Sequence, residues 1–298
     1  MAWSRLQSAS NSNGGGATIA QAFTTANLSS GSKIVCFVAV SSATGGTDEM
    51  TSVVLNDTAA TALTQLVANN HTGNAAWSYL YAVDTPSDAV GTKPTVTATW
   101  NNTPHASFGL TILIQEVSGL LAGNTSAMLD GTPATNSGTS AGPATTGAYS
   151  SNASNEYLVA FYGDPGNGVT VSNATGSTTY TADTNNVNAS GNATLFVDHG
   201  NSVGTTESAS FTLSGSSTAW GTTLGAFKLG ATGPVAPFFQ KNQAIRARIS
   251  RQVTVGRTAS NAGGAVHNPP PEPTFGPLPN RPAIVVINSG WRNSGHSR

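Results

Sequence analysis

The sequence predicts an all-β protein: an antiparallel β-sandwich domain over residues 1–230, followed by an extended Pro- and Arg-rich arm over residues 231–298. Three observations carry this. Only 8% of residues are charged, and Thr, Ser, Asn, Ala and Gly stand in their place. That composition favours strands and turns over helix interiors. Short alternating or apolar runs recur between clusters of Gly, Pro, Asn and Asp, and no window sustains a 3.6-residue period. The third observation is a change of alphabet after Gly230. Residues 1–230 hold four Lys and Arg against twelve carboxylates, a net −8, whereas residues 231–298 hold eight against Glu272 alone, a net +7. Nine of the fifteen prolines also fall in the second part. Such asymmetry points to a globular body with an interaction arm.

In chain order, strands are predicted over residues 34–41, 51–55, 62–68, 76–83, 95–100, 108–117, 156–162, 169–171, 178–182, 193–197, 208–213 and 218–229. Turn clusters at 44–48, 85–88 and 164–168 separate them. The runs 34–40 and 110–114, apolar but for Thr111, read as central strands. Residues 95–100 put Val96, Ala98 and Trp100 on one face and three threonines on the other, and 208–213 do the same with Ala209, Phe211 and Leu213. An internal echo runs from 77–84 to 193–198 and from 95–100 to 208–213. The simpler reading is one sandwich whose halves use similar hairpins. The other is two tandem modules of about 110 residues each.

Cys36 is the lone cysteine, inside an apolar run, so it reads as a small buried hydrophobe without a disulfide or a cysteine-based metal site. The first ten residues hold no apolar leader, and no run of 18 apolar residues occurs. Neither a secretory signal nor a membrane span is expected.

The five histidines, His71, His105, His199, His267 and His296, form no metal-ligand spacing. Asp198 and His199 are adjacent, and strand neighbours point to opposite faces. No nucleophile elbow, Walker loop or dinucleotide fingerprint occurs. Glu116, Glu156, Asp164, Asp198 and Glu207 could supply a glycosidase pair, yet each has a structural reading at a strand end or turn. Asp48 and Glu49 are too few for the six to eight oxygens of calcium. Trp77, Tyr79 and Tyr81 share one strand face, which reads first as core and second as a platform for sugar rings. No catalytic residue, metal or cofactor is expected.

Residues 50–54, Ala76-Trp77, 95–100, 116–120 and 220–228 together resemble the concanavalin-like jelly-roll modules of actinobacteriophage and actinobacterial surface proteins. The likeness spans roughly residues 1–230. Some members end the aromatic strand in Asn-Pro, where this chain has Asp84-Thr-Pro86. In the arm, residues 245–251, 256–257, 260–264 and 266–269 are similar to tails of actinophage minor structural proteins. The resemblance implies a jelly-roll body and a virion structural protein, either capsid decoration or minor tail protein, assembled in the host cytoplasm.

The arm carries the expected partner-binding residues. Its prolines at 269–271 and 273 impose an extended, polyproline-like course. Apolar anchors at Phe238, Phe239, Ile284, Val285, Val286, Ile287 and Trp291 stand on either side of the basic residues Arg246, Arg248, Arg251 and Arg257. Such a ribbon suits docking onto other virion proteins, major capsid or tail proteins, with residues 284–287 as a strand added to a partner's sheet. A homo-oligomer on the particle is expected. The basic residues are dispersed over 58 positions without interleaved aromatics, so nucleic acid is not the expected partner. The reading from another class is a carbohydrate-binding or adhesin module with weak glycan binding. The third is a glycoside hydrolase.

Overall fold

The computed structural model of the chain describes residues 2–13, 16–41, 50–71, 76–101, 109–165, 169–187, 193–215 and 219–230. The arm residues singled out above, from Phe238 to Trp291, lie outside the described residues, as do Asp48 and Glu49.

The described body is all-β and its sheets are antiparallel throughout, with one short 3-10 turn at Ser126–Met128. The first half supplies β1 (Ser4–Asn13), β2 (Thr18–Ala22), β3 (Lys33–Ser41), β4 (Met50–Leu55), β5 (Thr64–Asn70), β6 (Ala76–Asp84), β7 (Thr95–Trp100) and β8 (Leu110–Ser118). They form a five-stranded sheet in the order β1-β8-β3-β6-β5 and a three-stranded sheet β2-β7-β4. The second half supplies β9 (Ala134–Gly138), β10 (Ala144–Thr145), β11 (Tyr149–Ser150), β12 (Ser154–Asp164), β13 (Thr175–Gly176), β14 (Thr181–Ala182), β15 (Thr194–Val203), β16 (Thr206–Glu207), β17 (Ala209–Phe211) and β18 (Trp220–Phe227). Its sheets run β9-β18-β12-β15-β14 and β10-β17-β13, with a small β11-β16 pair beside them.

The two orders superimpose strand for strand, with β9 in the place of β1, β12 of β3, β15 of β6 and β18 of β8. The body thus repeats one strand order twice, as two modules of one topology packed into a single compact unit, Met1–Thr232. The echoed segments 77–84 and 193–198 fall on the equivalent strands β6 and β15, and 95–100 and 208–213 fall on or around β7 and β17.

Three apolar cores separate four layers. Ile34, Cys36, Val38 and Val40 of β3 face β2-β7-β4, while Val35, Phe37 and Ala39 face the second module. In β12, Tyr157, Val159 and Phe161 face the first module, and Leu158, Ala160 and Tyr162 face β10-β17-β13. The two large sheets thus meet back to back, and Phe37 meets Phe161 edge-on at 5.3 Å between ring centroids. All nine residues of β3 and the first eight of β8 are buried. This explains why the runs 34–40 and 110–114, Thr111 apart, are apolar without alternation: both of their faces lie inside. β7 alternates because only one of its faces does, with Val96, Ala98 and Trp100 inward as the sequence predicts.

β1, β2, β9, β10, β11, β13 and β16 have no counterpart among the predicted strands. β1 reads Ser-Arg-Leu-Gln-Ser-Ala-Ser-Asn-Ser-Asn, a polar edge strand paired only with β8. Val169 and Val171 fall outside the named strands, with Val171 making one isolated bridge to Leu213.

Candidate functional site

The five carboxylates nominated as a glycosidase pair are all buried, and four of them hold hydrogen bonds within the fold. Glu116 accepts from Gln7 Nε2 at 2.7 Å, from the Ser29 amide at 2.6 Å and from Ser32 Oγ at 2.8 Å. Asp164 accepts from the Tyr162 hydroxyl at 2.7 Å. Glu207 accepts from Ser151 Oγ and from the Val203 amide at 2.8 Å, holding the tight β15–β16 turn. Asp198 accepts from the Ala174 amide and from Asn186 Nδ2, and burial pushes its carboxyl up to about 6. Glu156 is buried, and its Oε2 has no hydrogen-bond partner. None of these five side chains lines the groove that runs along β1.

His199 points away from its neighbour Asp198, as strand geometry requires. Its ring packs edge-on to Trp3 at 5.8 Å and against Tyr157 at 6.1 Å, and burial pushes it down to about 4. The Trp77, Tyr79 and Tyr81 face turns into the core of the first module, with Tyr79 fully buried and stacked on Trp77. The sugar-platform reading of that row is thereby excluded. Cys36 is buried, and burial pushes its thiol up. Among the described residues no group of three His, Cys, Asp or Glu is placed to hold a metal ion, and no helix is long and apolar enough to cross a membrane.

The polar centre that sequence reasoning missed is Asp183, beside β14. It joins the modules by accepting from Arg5 at 2.5 Å, Ser8 Oγ at 2.8 Å and Gln115 Nε2 at 2.7 Å, all in the first module, and from the Asn185 amide at 2.8 Å. Trp3 adds a second clasp, donating from Nε1 to Asn201 at 2.8 Å. The only sequence signal was a Trp and an Arg within an otherwise bland polar N-terminus.

Beside this clasp runs a groove of about 400 Å³ along the outer side of β1. Arg5, Gln7, Ser10, Gln21, Thr24 and Asn185 line it, so its chemistry is amide, hydroxyl and guanidinium. Part of the adjacent strand edge is already closed, because Asn185 Nδ2 donates to the Ser8 carbonyl at 3.0 Å and the Ser12 amide donates to Asn11 Oδ1 at 2.9 Å. Side-chain capping of this kind blunts an edge against strand addition.

Burial also changes what the charge partition means. Of the ten described carboxylates in the body, seven are buried: Glu116, Asp130, Glu156, Asp164, Asp183, Asp198 and Glu207. The other three are Asp57, Asp84 and Asp88, and Asp84 is paired with Lys33. The acidic excess is spent inside the fold, and the described surface is close to neutral.

No protein-family model, curated protein or solved structure matches this chain.

Proposed function

We propose that the chain is a non-enzymatic structural protein of a bacteriophage particle. Two jelly-roll modules stand on the capsid or tail surface, and the basic C-terminal arm attaches them. The jelly-roll reading draws on the pairing scheme. In the first module β1 pairs with β8, β2 with β7 and β3 with β6, while an isolated Val54–Ala62 bridge links β4 to the segment before β5. That nesting is what a long hairpin makes when it rolls into two sheets. The second module repeats it with β9·β18, β10·β17 and β12·β15.

One observation carries the attachment reading. The body closes on itself just before the arm: Leu229 bridges Leu120, and the Gly230 amide donates to the Gly119 carbonyl at 2.8 Å. The net +7 begins there, while the body's described carboxylates are largely internal. The arm's charge and its spaced apolar anchors therefore find little matching acidic surface on the described part of their own body, and suit another protein. A chain ending at Gly230 is expected to fold with the unfolding transition of the full-length body and to be missing from assembled particles. Incorporation of the truncated chain at normal copy number would show that the arm is not the anchor.

The groove along β1 favours a second reading, a weak glycan site, because its lining is neutral hydrogen-bonding groups beside one Arg. Titration of the isolated body with neutral oligosaccharides tests it. Binding that weakens on Thr24→Ala or Gln21→Ala supports it, and no binding at millimolar sugar dismisses it.

A further inference from the structure

We propose that the pocket between Trp3 and the start of β12 binds a neutral sugar ring, with Trp3 as the stacking face and the Asn155 and Asn201 amides reading its hydroxyls. The pocket holds about 420 Å³ and is lined by Ala2, Trp3, Asn155, Asn201 and Leu229. That volume lies within the range of small-molecule sites. The pocket shares no lining residue with the groove along β1, so it stands apart from the glycan reading of that groove.

Trp3 is partly exposed. It packs on Tyr157 at 4.7 Å between ring centroids and edge-on to His199 at 5.8 Å, at the rim of the core between the modules. The ring is thus held by the core and still borders the pocket. Its Nε1–H donates to Asn201 Oδ1 at 2.8 Å. An indole N–H can only donate, so the Asn201 amide must turn its oxygen to Trp3. That leaves the two N–H groups of its Nδ2 without an acceptor among the described residues. Asn155 arrives by a β-bulge. Ser154 pairs with Val203 and Tyr157 with Asn201, so Asn155 and Glu156 together oppose Ser202 alone. The Ser202 hydroxyl bridges the bulge, accepting from the Glu156 amide at 2.9 Å and donating to the Ala153 carbonyl at 2.7 Å. Asn155 sits there at φ 64°, in the left-handed region that glycine usually takes and asparagine tolerates. A bulge re-aims a side chain, and here it sets an exposed amide on the pocket wall. Asn155 Nδ2 reaches Ser154 Oγ at 3.3 Å, and its Oδ1 remains as an acceptor.

The chemistry of the lining selects the ligand. None of the five lining side chains is charged, so an ion would find no counter-charge. Ala2, Trp3 and Leu229 supply apolar surface, while Asn201 offers donors and Asn155 an acceptor. A purely apolar ligand would leave both amides unpaired. A pyranose ring has the matching halves: a face of C–H groups that stacks on an aromatic ring, and a rim of hydroxyls that each donate and accept.

Two-dimensional NMR of the isotope-labelled full chain tests the site, with methyl glucoside, methyl galactoside, methyl mannoside and N-acetylglucosamine as titrants. The Trp3 indole N–H and the side-chain amides of Asn155 and Asn201 should shift saturably with at least one of these sugars, at a midpoint in the millimolar range. Asn155→Gly keeps the left-handed backbone and removes the amide, so it should fold like the native chain and bind about tenfold more weakly. Trp3→Phe keeps an aromatic face but releases the Asn201 amide, and should also weaken binding, whereas Gln21→Ala in the β1 groove should change nothing. No saturable shift with any of the sugars would overturn the proposal. Shifts confined to the β1 groove would overturn it too, while leaving the reading of that groove standing. Undiminished affinity in Asn155→Gly would refute the role of the amide and with it the site. An equal response to cyclohexanol would make the pocket a plain apolar cleft and equally overturn the sugar assignment.

Discussion

Alanine at Gly221 lowers the stability of the whole body by about 3 kcal/mol, at the upper end of ordinary overpacking. Gly221 lies on β18, where the second module meets the end of β5. A Cβ there would stand 2.2 Å from His71 Cδ2, 2.3 Å from His71 Nε2 and 3.0 Å from Asn69 Nδ2. Neither neighbour can step aside. The His71 ring shares a hydrogen bond of 3.0 Å with Ser78 Oγ and is buried and neutral, its pKa pushed down to about 3 by that burial. Asn69 Nδ2 donates across the seam to the Asn136 and Thr222 carbonyls at 3.2 and 3.1 Å. β18 must therefore retreat from the first module, opening a dry interface whose packing is close to that of a crystal. Denaturant unfolding checks this, and a single transition is expected because both modules lean on that interface. Gly221→Ala combined with His71→Ala should recover part of the loss. A Gly221→Ala protein as stable as the native one would mean that the modules do not meet here.

Asp183→Ala costs a similar amount, about 3 kcal/mol, because it leaves the buried Gln115 amide without its acceptor and strips Arg5, at the rim of the groove, of its partner. Its pH signature is separate. Burial alone would raise the Asp183 carboxyl. Hydrogen bonds from Asn185 and Gln115, the Arg5 charge and Ser8 outweigh burial and hold it below the usual range. A depressed carboxyl contributes stability that is present above the unfolded value, about 3.9, and is lost as pH falls through the folded one. His71 and His199 act in the same direction, since both are held neutral in the fold and charge on unfolding. Glu156 and Asp198 offset them only while the unfolded carboxyls remain ionised. Stability should thus fall steeply below about pH 4, and Asp183→Ala should remove its share of that slope. An unchanged acid slope in the variant would place the acid sensitivity elsewhere.

How much of this was legible follows from which faces are buried. β3 and β8 announced themselves because both of their faces are covered, leaving 34–40 apolar throughout and 110–114 apolar but for Thr111. β7 announced itself by alternation, since one face is core and the other is threonine. β1 and β9 stayed silent. They are edge strands, held by register and by side-chain clasps such as Arg5–Asp183, and polar edges carry no hydrophobic period. The echo between halves was visible but weak. A topology is set by pairing order, whereas a Thr-, Ser- and Gly-rich alphabet repeats itself by composition alone. Charge was uninformative in one respect. The net −8 of the body does not say where its carboxylates lie, and Glu116, Asp183 and Glu207 sit among backbone amides and hydroxyls that require an anion inside. Sequence gives the sign of a carboxylate and not its depth. Trp77, Tyr79 and Tyr81 pose the same problem, since spacing puts them on one face without saying that the face points inward.

The central claim is that this chain is a particle component carried by its arm. A map of the purified phage particle at a resolution that separates β-sheet layers tests it most directly. The account predicts a four-layered body, two sandwiches back to back, standing clear of the particle wall, with continuous density from the residue 230 end into the capsid or tail surface. A particle without such density, or one in which the body itself is embedded and the residue 230 end points to solvent, would contradict it.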